Sequence, residues 1–213
     1  MPDLSLEADF RVHGYRLIAG VDEAGRGPLA GPVAAAAVIL PPDLNGHEPW
    51  LAAIDDSKRL TAKQRESAAE IIRANALAWA VEQVDSAEID RIGIGQAVIR
   101  AMFAAVAVLR PTPEALLMDW VHLTHCPLPY QRVVKGDAKS LSIAAASILA
   151  KVARDEFMVQ ADRRYPGYGF ARHKGYATAR HLRCLSDLGP SPIHRRSFSP
   201  LRQATLIDDA TPR

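Results

Sequence analysis

Apolar residues fall into short runs early in the chain and take up helical spacing further on. Residues 17–21 and 33–40 are brief apolar runs bounded by Gly and Pro, which predicts two strands despite their alanines, paired through the glycine-containing segment between them. After the Pro41-Pro42 break, Thr61 with Gln64 three positions on has the capping-box pattern and predicts a helix running toward Ala74. Residues 78–84 predict a third strand. Val98, Met102, Ala105 and Leu109 keep helical spacing, and Pro111 ends that element. Residues 115–118 predict a short buried strand that runs into Asp119. Another at 132–134 ends at Lys135-Gly136-Asp137, and Ser142 is expected to open a strongly apolar helix containing Ile148, Leu149, Val152 and Phe157. Thr178 can cap a last helix carrying Leu182, Leu185 and Leu188, which Gly189-Pro190 ends.

Strands and helices therefore alternate, the pattern of an α/β protein. With 213 residues and 48% hydrophobic content the chain can bury a full core as one domain with a small appended lobe. The expected division is a catalytic core over 1–160, a helical lobe over 161–202 and a frayed tail over 203–213, where periodic apolar content is too low for an element. No apolar run approaches the roughly 18 residues a spanning helix requires, and residues 1–10 are polar and acidic, so a soluble cytoplasmic protein, monomeric by default, is expected. Cys126 and Cys184 are too few for a disulfide framework and fit a reducing compartment, with a single bridge between them left open. The net charge of +2 says little. Its placement says more: Arg163, Arg164, Arg172, Lys174, Arg180, Arg183, Arg195 and Arg196 crowd the last third, either as a polyanion-binding face or as an ordinary solvated surface.

The most informative segment is residues 17–27, an apolar run that ends in Asp22-Glu23 and continues Ala-Gly-Arg-Gly. Two adjacent carboxylates repel each other unless a cation offsets them, and a hard divalent metal is the natural partner. Gly25 and Gly27 leave the backbone around Arg26 able to take positive φ and to approach a ligand closely. Neighbouring residues of a regular strand face opposite sides, so Asp22 and Glu23 share a site only if the chain turns there, and the Ala-Gly-Arg-Gly sequence is expected to supply the turn. Asp119 and Asp137 also follow short apolar segments. A single strand-end Asp is more often a turn or cap residue than a ligand, but carboxylates from separate strand ends can converge at one sheet edge. The resulting all-oxygen site suits Mg²⁺ or Mn²⁺ rather than Zn²⁺. Two such ions about 3.5–4 Å apart can activate water and stabilise the leaving oxygen in an in-line phosphoryl displacement.

Five segments carry a specific resemblance: Gly20-Val21-Asp22-Glu23-Ala24-Gly25-Arg26-Gly27-Pro28, Asp56-Ser57-Lys58, Lys135-Gly136-Asp137, the helix segment from Ala146 to Asp155, and His173-Lys174-Gly175-Tyr176. In that order they resemble bacterial ribonuclease HII, over nearly the whole chain. The resemblance implies a ribonuclease H-like fold, with a central mixed sheet flanked by helices and a small C-terminal helical lobe. It implies endonucleolytic hydrolysis of RNA in RNA–DNA hybrids, with incision 5′ to single ribonucleotides embedded in duplex DNA and 5′-phosphate and 3′-hydroxyl ends. By the same resemblance Asp22, Glu23, Asp119 and Asp137 are the acidic catalytic residues, binding Mn²⁺ or Mg²⁺. Gly25, Arg26 and Gly27 read the ribose 2′-hydroxyl, Tyr176 stacks on the sugar beyond the RNA-to-DNA junction, and Lys58 and Ser147 complete the substrate site. Trp120 departs from the pattern, since the family usually has Gly after the third acidic residue.

Other candidates are weaker. Lys139, Lys151 and Arg154 could contact phosphates, but exposed basic residues are usually just solvated, and Asp155 reads as structural. His122, His125 and Cys126 lack a fourth ligand at a suitable spacing, which argues against zinc, and His181 with Cys184 fares no better. Gly25-x-Gly27-x-x-Ala30 after a strand matches the dinucleotide fingerprint, yet Pro28 and Pro32 are poor material for the required helix, and Asp22-Glu23 would repel a pyrophosphate. A nucleic-acid-binding module built on the basic C-terminal third would leave the acidic strand ends unexplained. A junction resolvase on the same fold would leave the glycine-flanked Arg26 and Tyr176 unexplained.

Overall fold

The computed structural model describes residues 1–119 and 126–202. One five-stranded sheet holds β1 (Ile18–Ala24), β2 (Val33–Ile39), β3 (Ala78–Val84), β4 (Ala115–Asp119) and β5 (Tyr130–Val133), in the order β3-β2-β1-β4-β5. The β1–β2 and β2–β3 pairs are antiparallel, whereas β1–β4 and β4–β5 are parallel, so the sheet is mixed. Around it lie α1 (Ser5–Val12), α2 (Ala62–Asn75), α3 (Ser86–Ile92), α4 (Ile94–Val108), α5 (Leu141–Arg164), α6 (Phe170–His173) and α7 (Ala179–Leu188).

Both faces of the sheet are covered, which is why β2 reads as an unbroken apolar run rather than an alternating one. Its odd positions, Val33, Ala35, Ala37 and Ile39, pack with Ile89 of α3 and with Val98 and Met102 of α4. Its even positions Ala36 and Val38 pack with Ile72 of α2 and with Ala144, Ile148 and Leu149 of α5. The small side chains let helices approach closely, most of all at Gly20, where an added Cβ would lie 2.1 Å from the Ser142 carbonyl carbon. The start of α5 thus rests directly on the middle of β1.

The capping box at Thr61 is present in full. The start of α5 differs by one step from the sequence expectation. Ser140, in extended conformation, is its cap and accepts the Ile143 N–H, while Ser142 lies inside the helix and donates both its hydroxyl and its N–H to buried Glu7. That contact binds α1, for which the sequence supplied no expectation, to the N-terminus of α5. The short α3, capped by Asp85, was likewise not anticipated. Cys126 and Cys184 are both free, so no bridge joins them. His122, His125 and Trp120 fall outside the described residues, as does the tail over 203–213. Among the described residues no single helix is long and apolar enough to cross a membrane.

After α5 the chain forms a small cluster around buried Phe170, in which the rings of Tyr168, His173, His181 and His194 surround it and one another. Residues 193–195 then run back beside residues 29–31, joined by the Gly31 N–H to Ile193 O and the Arg195 N–H to Leu29 O bonds. The C-terminal segment is thereby fastened to the loop that follows β1.

Candidate active site

Parallel pairing sets the two central carboxylates side by side. Val21 of β1 lies opposite Met118 of β4, so the next residues, Asp22 and Asp119, stand together at the end of that pair, just past its register. By strand alternation Asp22 shares the face of Gly20, toward α5, and Glu23 points to the other face. The Ala-Gly-Arg-Gly segment does supply a turn, but only after both carboxylates. β1 stays paired with β2 through Ala24, and the chain turns only at Gly25, whose φ is +95°. Both carboxylates nonetheless line one groove, because it wraps the end of β1 where the register with β4 has run out at Val21.

That groove has a volume of about 300 Å³ and gathers segments distant in sequence. Asp22, Glu23, Asp119, Gly25, Arg26, Gly27, Lys58, Ser147 and Tyr176 all line it, together with Ser57, Arg65 and Lys151. Asp137 does not. It is buried in the short 3₁₀ turn after β5, and its Oδ2 accepts a 2.7 Å hydrogen bond from Lys58 Nζ, so it meets the groove through that lysine. Asp119 Oδ1 accepts the Gly136 N–H at 2.9 Å, which ties the end of β4 to the same turn.

Asp22 is the electrostatic centre. It is buried, and its Oδ1 accepts the Glu23 N–H at 2.8 Å. Burial first, then the charges of Glu23 and Asp119, push its carboxyl well above the usual carboxylate range, an effect only partly offset by the Ser147 hydroxyl. Ser147 comes from α5 and lies 3.0 Å, hydroxyl to hydroxyl, from Ser57, which locks the Asp56-Ser57-Lys58 turn to that helix. Arg26 reaches back to Glu23, with Nη1 3.4 Å from Oε1.

A cluster of carboxylates whose mutual repulsion is built in at a buried strand end fits a hard divalent cation, and its oxygen donors suit Mg²⁺ or Mn²⁺. Among the described residues no three Asp, Glu, His or Cys side chains already form a metal cage. An open arrangement is compatible with such ions, which keep waters and take substrate phosphate oxygens as ligands.

Two basic residues that the sequence suggested as phosphate contacts or as part of a basic face belong to the interior. Arg154 and Arg195 have no exposed surface and donate to main-chain carbonyls. Lys139 is exposed and does not line the groove, whereas Lys151 lines it while pairing with Asp155 at 2.7 Å. Arg65 was missed. It is held by a 2.8 Å bond to Ser57 O, and its helical position four residues after the Thr61 cap gives no sign of that role. Tyr176 is 45% exposed at the groove edge.

The chain is similar to known proteins over most of its length. A family model described as Ribonuclease HII matches residues 19–200. The ribonuclease HII of Geobacillus kaustophilus is 53% identical over 197 residues, covering 92% of this chain and 74% of the relative. Among solved structures, the ribonuclease H2 of Pyrococcus horikoshii superposes with a TM-score of 0.76 at 26% identity, covering 91% of this chain and 99% of that one. A Bst ribonuclease HIII in complex with Mn²⁺ shares the fold, with a TM-score of 0.65 at 22% identity over 92% of this chain and 71% of that one.

Proposed function

The chain belongs to the ribonuclease HII family of ribonuclease H hydrolases, and from that premise we propose that it is a metal-dependent endonuclease that cuts the RNA strand of RNA–DNA hybrids and incises 5′ to single ribonucleotides in duplex DNA, leaving 5′-phosphate and 3′-hydroxyl ends. The observation that carries this reading is the meeting, on one groove, of carboxylates from two parallel strand ends, a glycine-flanked loop and a half-exposed tyrosine. A pure binding module has no use for the first, and a nuclease indifferent to sugar chemistry has little use for the other two.

Asp22, Glu23 and Asp119 would hold the cation, with Asp137 behind Lys58 as the fourth acidic member. The bound ion, Mn²⁺ or Mg²⁺, supplies charge neutralisation at the scissile phosphate and a water more acidic than bulk water. Mn²⁺ in the Bst ribonuclease HIII of the same fold supports the choice of ion class. The chain's own groups do the rest. Lys58 offers an ammonium to the substrate backbone. The loop from Gly25 to Gly27 presents main-chain groups to the 2′-hydroxyl, which both donates and accepts and is what separates RNA from DNA. An added Cβ at Gly27 would meet nothing within 4 Å, so the bare backbone there opens on space a ligand can enter. Tyr176 offers a ring face to the adjoining sugar.

The test uses three substrates: a DNA duplex with one embedded ribonucleotide, the all-DNA duplex and a full RNA–DNA hybrid, each with Mg²⁺, Mn²⁺ or chelator. Metal-dependent incision 5′ to the single ribonucleotide is the expected result. Cutting of the long hybrid alone would remove the junction role of the loop and Tyr176. Salt-sensitive binding with no cutting would overturn the enzymatic reading.

A further inference from the structure

Two buried guanidiniums behind the groove take no part in the scheme above. Arg195 donates four hydrogen bonds to the chain that follows β1: Nη2 to Gly25 O at 2.7 Å and to Pro32 O at 3.0 Å, Nη1 to Arg26 O at 2.9 Å, and Nε to Gly31 O at 2.9 Å. Arg154 of α5 donates Nε to the same Pro32 O at 3.0 Å, and Nη2 to Ala30 O at 3.2 Å and to Lys174 O at 3.0 Å. Its guanidinium carbon lies 5.9 Å from the Tyr176 ring centroid.

Every one of these acceptors is a main-chain carbonyl. Burying a cation without an anion is costly, and an apolar side chain of similar volume is often as stabilising or more so. Desolvation has a visible effect: burial, then the Arg154 charge, pulls Arg195 down to about 9. Stability alone is therefore a poor reason for the pair.

Peptide geometry gives a better one. In a trans peptide unit the C=O and N–H point in opposite directions, and the described cis bonds are only at Pro111 and Pro200. Because Gly25 O faces Arg195, the Arg26 N–H of that unit points away from it. The same holds for Arg26 O and the Gly27 N–H. Both residues line the groove, and their two donors point away from the buried guanidinium. The loop also sits directly on Arg154, since a Cβ at Gly25 would come within 2.0 Å of Arg154 Nε.

We propose that Arg195, backed by Arg154, is a positioning residue for ribose recognition, holding the Gly25 and Arg26 carbonyls inward so that the Arg26 and Gly27 N–H groups face the 2′-hydroxyl. This rests on the substrate reading proposed above. Arg154, packed against Gly25 and bonded at once to the Ala30, Pro32 and Lys174 carbonyls, also sets the spacing between the loop and Tyr176, the two parts that would flank a junction.

The test replaces Arg195 with Lys in the full chain, which keeps the charge but removes the planar fork. We expect KM for the single-ribonucleotide duplex to rise about tenfold, the size of one lost hydrogen bond, while the inhibition constant of the all-DNA duplex as competitor moves less than about twofold. A parallel rise in both, or no change in a folded variant, overturns the proposal. A second measurement needs no variant. Hydrogen exchange on the native protein should show the Arg26 and Gly27 amides gaining protection with the ribonucleotide duplex and not with the all-DNA duplex; equal protection by both overturns it. If the native enzyme itself fails to distinguish the two duplexes, the substrate reading falls and the inference falls with it. Discrimination retained in full by Arg195→Lys removes the inference alone.

Discussion

Lys58 Nζ and Asp137 Oδ2 lie 2.7 Å apart, joining the Asp56-Ser57-Lys58 turn to the 3₁₀ turn after β5 across 79 residues of sequence. The two ends differ in exposure: the lysine side chain is 78% exposed, the aspartate 5%. The hydrogen bond to Asp137 raises the Lys58 pKa, so the ammonium stays charged at the groove wall. Lys58→Met should raise KM for the ribonucleotide duplex and flatten the salt dependence of binding by about one unit of log–log slope, the signature of one lost phosphate contact. Combined with Asp137→Asn, the two losses should be non-additive by roughly 0.5–1 kcal/mol, as expected of a partly solvated pair. Additive losses and an unchanged salt slope would show that Lys58 acts on neither partner.

Asp22 is held at a cost to the fold. Because burial and two neighbouring charges favour its neutral form, Asp22→Asn should leave the metal-free melting temperature unchanged or higher, while cleavage falls by at least about 10³-fold. Mn²⁺ should raise the melting temperature of the native protein by linkage, and less so in the variant. A variant that still cleaves, or that gains the same stabilisation from Mn²⁺, would refute the metal assignment.

Local chemistry made much of this legible. The Thr61–Gln64 box, the strand at Ala78–Val84 and the acidic end of β1 each depend on residues within a few positions of one another. What failed depends on distant partners. Ser140 and Ser142 are equally good caps by composition, and Glu7 arriving from α1 accepts both hydroxyls; it takes the Ser142 N–H as well, while Ser140, in extended conformation, is left to cap the Ile143 N–H. Arg195 looks like surface charge until carbonyls from residues 25–32 are brought around it. The turn expected from the Ala-Gly-Arg-Gly segment is present at Gly25, but it follows both carboxylates, and they share a groove at the open end of β1 beyond its register with β4.

Tyr176 is held from behind by its backbone: its N–H donates to His173 O at 2.9 Å, and its carbonyl lies 2.9 Å from His181 Nδ1. With the ring half exposed, Tyr176→Ala should change stability by no more than about 0.5 kcal/mol. The catalytic loss should be larger on single-ribonucleotide duplexes than on long hybrids, where neighbouring riboses offer alternative registers, and Tyr176→Phe should retain most of the activity. Equal losses on both substrates would remove the stacking role at the junction.

The histidines behind Tyr176 form a chain whose tautomers are forced. Ser191 N–H donates to His194 Nδ1 at 2.9 Å, so that nitrogen is an acceptor and His194 Nε2 carries the proton. His194 Nε2 then donates to His181 Nε2 at 3.0 Å, which leaves His181 Nδ1 to donate to Tyr176 O. In this arrangement both rings are neutral: a further proton on His181 Nε2 would face the His194 Nε2–H, and one on His194 Nδ1 would meet the Ser191 N–H, with the Ser191 hydroxyl 2.8 Å away as its one acceptor there. Burial, then the nearby His181, lowers His194 from 6.5 to about 4, and His181 is lowered too. The unfolded chain therefore takes up protons first. This contribution to stability is complete above about pH 6.5 and is lost progressively as pH falls toward about 4, below which the slope ends. Melting temperatures measured from about pH 7 to about pH 4.5 should fall less steeply in His194→Gln than in the native protein, even though the variant starts lower. Parallel slopes in the two proteins would mean that acid sensitivity arises elsewhere, in the carboxylates rather than in this relay.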